Sequence, residues 1–121
     1  GGPLKRRFIA FEGPADPGEL PTWKLATNSL EARLTSAYAE EMGVARAIYL
    51  DPGYITGAKL VLGTTKDFAH RTYLRDGIYA EVTLNYRDNA WRGFDHTFPD
   101  YKDPRYHAFF SKVRDFHCGK D

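Results

Sequence analysis

One cysteine and one methionine are the only sulfur-bearing residues in this chain of 121, and the shortage is informative. Cys118 has no second cysteine to pair with, which excludes an intrachain disulfide framework and makes a reducing, cytoplasmic setting the expectation. An excess of charge of one sign is missing too. Lys and Arg number 17 against 16 Asp and Glu, a net charge of +1, so no global field draws nucleic acid or anionic lipid, and any anion site must be a local cluster. No apolar run approaches the ~20 residues of a membrane span, and no basic-then-apolar leader opens the chain. A membrane partner is therefore not expected. The opening Gly1-Gly2-Pro3 has no methionine and reads as a cloning remnant or as a cut within a longer protein.

What is present is a packed protein. Hydrophobic residues make up 42%, charged residues 27% and aromatic residues 15%, a rich aromatic share that argues against disorder. A chain of this length forms one domain, residues 1–121, and buries about two-thirds of the surface that its unfolded form exposes.

Apolar alternation after the basic Lys5-Arg6-Arg7 predicts a strand from Arg7 to Glu12. Pro21 opens a helix that runs to about Glu41 and stops at Gly43. Its apolar stripe is Trp23, Ala26, Leu30, Leu34 and Ala37, and Lys24, Asn28 and Glu31 read as the solvated side. A second strand is expected from Ala45 to Leu50, closed by the turn residues Asp51, Pro52 and Gly53. Residues 57–66 have two readings. A helix capped by Thr56 puts Ala58, Val61, Leu62, Thr65 and Ala69 on one face and is favoured; the run from Leu60 to Thr65 also suits a short buried strand.

The segment from Arg71 to Tyr86 reads as a hairpin with a three-residue loop, Arg75, Asp76 and Gly77, pairing Leu74 with Ile78, Thr72 with Ala80 and Arg71 with Glu81. Ile78, Ala80, Val82 and Leu84 then face the core, and Tyr79, Glu81 and Thr83 face away. Residues 87–102 read as a polar link. Asp103 and Pro104 start a terminal helix with Tyr106, Phe109, Phe110 and Val113 as its apolar stripe, and residues 117–121 as a frayed tail. The fold class expected is a two-layer α+β domain, with a mostly antiparallel sheet of about four strands and three helices.

The stretch from Asp51 to Asp67, DPGYITGAKLVLGTTKD, resembles a phosphate-binding loop and fails its requirements. That loop needs four residues between its glycines and then an adjacent Lys and Ser or Thr. Here Gly53 and Gly57 are too close, Ala58 precedes Lys59, and Leu60 stands in the hydroxyl position. The guanine-reading signature needs a residue between its Lys and Asp, and Lys66 and Asp67 are adjacent. On the favoured helix, Lys59, Gly63, Lys66 and His70 share one stripe that leads to Arg71, with Glu81 on the neighbouring strand. Two readings stand side by side: an anion clamp with an acid-base pair, or solvated lysines beside a cross-strand Arg71 and Glu81 ion pair. His70, His96, His107 and His117 show no metal-ligand spacing, and no metal is expected.

The blocks LKRRFIAFEG, LDPGYITGAKLVLGTTKDFAHRTYL, GIYAEVTLNY and FPDYKDPRY together resemble a bacterial and archaeal family catalogued as domain of unknown function 4416. The resemblance is specific over positions 50–86, and it implies no substrate or cofactor. Carried over by position, it points to Asp51, Lys59, Thr65, Lys66, His70, Arg71 and Glu81. Members of that family usually begin with a further strand and helix, so the chain resembles a C-terminal portion. This implies a missing N-terminal segment or a homo-oligomer.

The function expected is binding or processing of a phosphorylated ligand, a nucleotide or RNA end. Lys59, Lys66 and Arg71 clamp the anion, Thr65 adds a contact, the Asp51 turn orients the loop, and His70 and Glu81 transfer protons. The alternative is a non-enzymatic interaction or structural module. Geometry separates the two, because the first needs these side chains to converge on a concave site.

Overall fold

The computed structural model describes residues 8–11, 15–43 and 50–118. After a 3-10 turn at Pro17–Glu19, the elements are α1 (Leu20–Met42), β1 (Gly53–Ile55), β2 (Lys59–Thr64), β3 (Arg71–Arg75), β4 (Ile78–Arg87), β5 (Ala90–Gly93), α2 (Pro99–Lys102) and α3 (Pro104–Cys118). The strands form one sheet ordered β1-β2-β4-β3, with β5 also on β4, and every pairing is antiparallel. This is the expected two-layer α+β fold, with three α-helices and a five-stranded sheet among the described residues. The second helix is a different one from that predicted. Among the described residues, no helix is long and apolar enough to cross a membrane.

Residues 59–64 form a strand and not the favoured helix. Leu60 pairs with Leu84 and Val61 with Val82, so consecutive apolar residues point to opposite faces and both are buried. A helix buries one stripe only; a central strand uses the whole run. Thr56 still caps a turn: its hydroxyl accepts the Ala58 N–H at 3.1 Å within the β1–β2 loop. Of the predicted strand from Arg7 to Glu12, the described residues 8–11 carry no strand. Of the strand expected from Ala45 to Leu50, residues 45–49 lie outside the described residues, and Leu50 carries no strand.

The β3–β4 register is the predicted one at Arg71–Glu81 and Thr72–Ala80, reached by another route. The turn has two residues, Asp76 and Gly77, both at positive φ, and the register shifts between Tyr73 and Arg75. The bulge at Leu74 restores the parity that a two-residue turn would have inverted. A second irregularity between Leu60 and Val61, opposite Thr83, flips the side chains of β4 midway. Leu84 therefore lies on the face that carries Glu81, opposite Ile78, Ala80 and Val82; Val82 is 38% exposed, and Glu81 and Thr83 are buried at 5% and 1%. The predicted link at 87–102 contains β5 and α2; Asp88 and Asn89, both at positive φ, make the tight hairpin turn.

Leu60, Leu84 and Trp91 pack against Tyr101 of α2 and Phe110 of α3. Phe8 meets the rings of Tyr106, Phe110 and Tyr101 edge-on at 4.8, 5.0 and 5.7 Å. On the other face of the sheet, Gly63 gives α1 room: a Cβ there would lie 3.3 Å from Leu20 and 3.5 Å from Lys24. The inward face of α1 is the reverse of the predicted one. Leu20, Pro21 and Lys24 are buried and Glu31 accepts the Leu50 N–H at 2.6 Å, whereas Leu30 and Leu34 are exposed.

Gly53 is the tightest backbone approach in the sheet, since a Cβ there would sit 2.3 Å from the Val61 carbonyl oxygen and 2.7 Å from a Leu62 methyl. Gly53→Ala should cost about 1–3 kcal/mol in urea unfolding, as overpacking does. Gly57→Ala, whose nearest neighbour would be 4.0 Å away, should stay within about 0.5 kcal/mol of the parent.

Candidate functional site

Strand β4 is paired along one edge first with β3, over Ile78 to Glu81, and then with β5, over Leu84 to Arg87. Between them Val82 and Thr83 have no strand partner on that edge, and the buried Thr83 carbonyl in particular needs a donor from elsewhere. Two side chains from the loop after β5 donate to the two carbonyls. Thr97 Oγ1 donates to the Thr83 carbonyl at 2.7 Å, and His96 Nε2 donates to the Val82 carbonyl at 3.0 Å. Because a carbonyl only accepts, the proton of neutral His96 is on Nε2 and its Nδ1 carries the lone pair. Thr97 also accepts the Phe94 N–H at 2.8 Å, which fixes the loop.

Glu81, on the last residue paired with β3, turns its carboxylate into this gap. Its Oε1 accepts from His70 Nε2 and from Arg71 Nε, each at 3.0 Å, and its Oε2 accepts from Thr83 Oγ1 at 2.8 Å. Arg71 is held in turn by the Lys66 carbonyl at 3.1 Å and lies 4.3 Å over the Phe68 ring. His70 stacks on His96 with ring centroids 4.0 Å apart and planes at 8°, and His96 stacks on Phe94 at 5.1 Å. Burial pushes the Glu81 pKa up, but the hydrogen bonds from Thr83 and Arg71, the Arg71 charge and the His70 contact outweigh it. The carboxyl is held below its ordinary range.

The site thus contains His70, Arg71 and Glu81 of the residues singled out from sequence. Lys66 and Thr65 are exposed just beyond β2, and Lys66 serves through its backbone. Asp51 lines a cleft of about 130 Å³ whose other walls include Lys24, Gly63, Thr64, Arg71 and Glu81, with Leu62, Phe98 and Tyr101 as its apolar side. Lys59 does not join them. It begins β2, opposite Asn85, and the five strand steps to Thr64 carry it roughly 17 Å away. The stripe of Lys59, Gly63, Lys66 and His70 existed only at helical rise.

Lys24, Thr83, His96 and Thr97 were not among the expected site residues. His96 and Thr97 lie in the stretch that read as a link, where only the alternation of Phe94, His96 and Phe98 marks them. Donor atoms of His70, Glu81 and His96 all lie within 4.8 Å of one another, so the fold assembles a group able to hold a metal that no local spacing announces. A wider depression of about 260 Å³ between Pro17, Pro21 and Tyr73 offers a single charged group, Arg75. Arg75 is already paired with Asp76 at 2.8 Å, so the smaller cleft is the candidate.

A depressed carboxyl pKa stabilises the fold above the unfolded value of about 4.3, and that contribution is lost as pH falls through the folded value. Glu81→Gln, unfolded by urea in EDTA-containing buffer, should be less stable than the parent at pH 7 by about 1.5–3 kcal/mol. The difference should narrow from about pH 5 downward. A constant difference down to pH 3 would mean that the Glu81 charge contributes nothing.

Comparison with curated proteins and with solved structures gave no match. A family model described as Domain of unknown function (DUF4416) matches residues 1–117, a span that covers the site, both layers and the opening segment alike. The chain therefore belongs to the DUF4416 family.

Proposed function

We propose that the cleft beside Glu81 binds the phosphoryl group, or a similar small oxyanion, of a phosphorylated ligand such as a nucleotide or an RNA end. One observation carries this reading. Two cationic residues, Lys24 at 8% exposure and Arg71 with its side chain at 8%, form walls of a single small cleft. Cations removed from water take anionic partners; Arg71 has Glu81, Asp51 also lines the cleft, and a ligand oxyanion would add a further partner within reach of Lys24 and Arg71. Arg71 spends its Nε on Glu81 and its Nη1 on Lys66, which leaves Nη2 for a ligand.

The volume of about 130 Å³ is below the roughly 300 Å³ at which pockets take a drug-sized molecule. It suits a phosphoryl group whose remainder lies outside, beside the exposed Phe98 ring. His70 stands behind the cleft rather than on its wall: it gives its Nε2 proton to Glu81, which does line the cleft, so its part in any proton exchange would run through that carboxylate.

Inorganic phosphate, pyrophosphate, nucleotides and a 5′-phosphorylated RNA oligomer should be compared by thermal shift. A compound present at a hundred times its Kd adds ~2.7 kcal/mol of stability. Lys24→Met keeps the aliphatic stem against Gly63 and removes the charge, and should weaken the active compound by about tenfold or more. No shift with any of them, or equal shifts in parent and variant, sinks the reading.

A second reading, an interaction module that pairs with a second copy of itself, is favoured by the outward stripe of α1. Leu30 and Leu34 are 37% and 38% exposed there, at a spacing that suits helix pairing. Light scattering should then show a dimer that Leu30→Glu with Leu34→Glu converts to a monomer. A parent that is monomeric at all concentrations removes this reading.

A further inference from the structure

We propose that His70, Glu81 and His96 form a binding site for a divalent first-row transition metal, with Zn2+ the ion that best suits the donor set. Two imidazoles and one carboxylate make three protein ligands and leave the next coordination position open, the arrangement of catalytic rather than structural zinc. Tetrahedral zinc with ligands at about 2.0–2.1 Å requires donor atoms roughly 3.3 Å apart. The three donors here already lie within 4.8 Å of one another, and the His70 and Glu81 pair stands at 3.0 Å. The two rings are stacked nearly parallel, so one ion can lie in both ring planes only if an imidazole turns out of the stack; His70, whose side chain is 30% exposed, is the one with room to do so while His96 keeps its Val82 contact.

The surrounding contacts prepare the donors. His96 gives its Nε2–H to the Val82 carbonyl, which fixes the tautomer and leaves Nδ1 to bind metal, the usual pairing of a ligating histidine with a backbone oxygen. Arg71 Nε holds Oε1 of Glu81 and Thr83 Oγ1 holds Oε2, which fixes the carboxylate in place. His70 bears its proton on Nε2 in the metal-free protein; moving it to Nδ1 offers Nε2 to the metal with no net proton release.

The histidine pair is more than the sheet needs. The gap in β4 requires one donor for each of two carbonyls, which His96 and Thr97 supply, and the Glu81 charge is already met by Arg71 and Thr83. The second imidazole, stacked 4.0 Å from the first, adds a third donor to a carboxylate that already has two. It also completes a ligand set. The Arg71 cation beside the ion favours an anion in the open position, which agrees with an oxyanion in the adjoining cleft, but the metal site does not rest on that reading.

The test uses tag-free protein stripped with a chelator, in phosphate-free buffer. Co2+ should bind in a 1:1 ratio with visible d–d absorption, and Zn2+ should displace it. His70→Ala and His96→Gln should each weaken binding by at least about tenfold, the lower end of what loss of a mere supporting contact costs. His96→Gln keeps an N–H donor for the Val82 carbonyl. His107→Ala, which removes a contact to the Tyr101 carbonyl at 2.7 Å, should leave Co2+ affinity unchanged if folded. In the unmutated protein, Zn2+ should shift the ring 15N resonances of His70 and His96 and spare His107. Absence of Co2+ absorption, parent-like affinity in both ligand variants, or ring shifts confined to other histidines overturns the proposal. None of these outcomes bears on the phosphate measurements with Lys24→Met.

Discussion

Everything around the candidate site follows from two backbone carbonyls. β4 changes partner from β3 to β5 without overlap, and at the junction Val82 and Thr83 would face a hole in the ladder. Thr83 is buried, and leaving its carbonyl unpaired would cost about 1–3 kcal/mol, so the junction must be filled at that position at least. His96 and Thr97 fill it from the side, and doing so anchors the loop that leads into α2. The bulge at Thr83 belongs to the same event, because it turns the Thr83 hydroxyl toward Glu81 while its carbonyl meets Thr97.

Burial of Glu81 is the second half of that arrangement. A lone carboxylate at this depth would be expelled or protonated. Here three donors from three residues hold it ionised, and each has another duty: Arg71 ties down the turn at Lys66, Thr83 forms the bulge, and His70 stacks on the plugging loop. The polar cluster therefore links the β2–β3 connection, the centre of β4 and the β5–α2 loop. A network so shared is costly to break at any one member.

Local patterns were the legible part of the sequence. The Arg71–Glu81 register, the Gly43 stop of α1 and the Pro104 start of α3 follow from turn chemistry and side-chain period, which act over a few residues. Residues 59–64 were misread because consecutive apolar residues fit one period as poorly as the other, and only the neighbouring strands decide. That error carried Lys59 into the site. The inward face of α1 was misread for a different reason: close approach over Gly63 selects a slim stripe, and the bulkier Trp23, Leu30 and Leu34 stripe would hold the helix off. Of the site itself, the members on β3 and β4 were legible through their pairing. His96 and Thr97 arrive from a loop whose position no local signal sets.

Gly63 has a wider effect than the space it leaves. With no side chain between them, the first turns of α1 rest directly on β2, and Lys24 reaches the cleft from the face opposite the one that carries Glu81. The charge in the cleft is thus set by how close a helix stands to a sheet, not by the sheet alone. Whatever displaces α1, from the outer side where its leucines are bare, withdraws a cation from the cleft and leaves the Glu81 network intact. The helix acts as a mechanical input to the electrostatics of a site that it does not enclose.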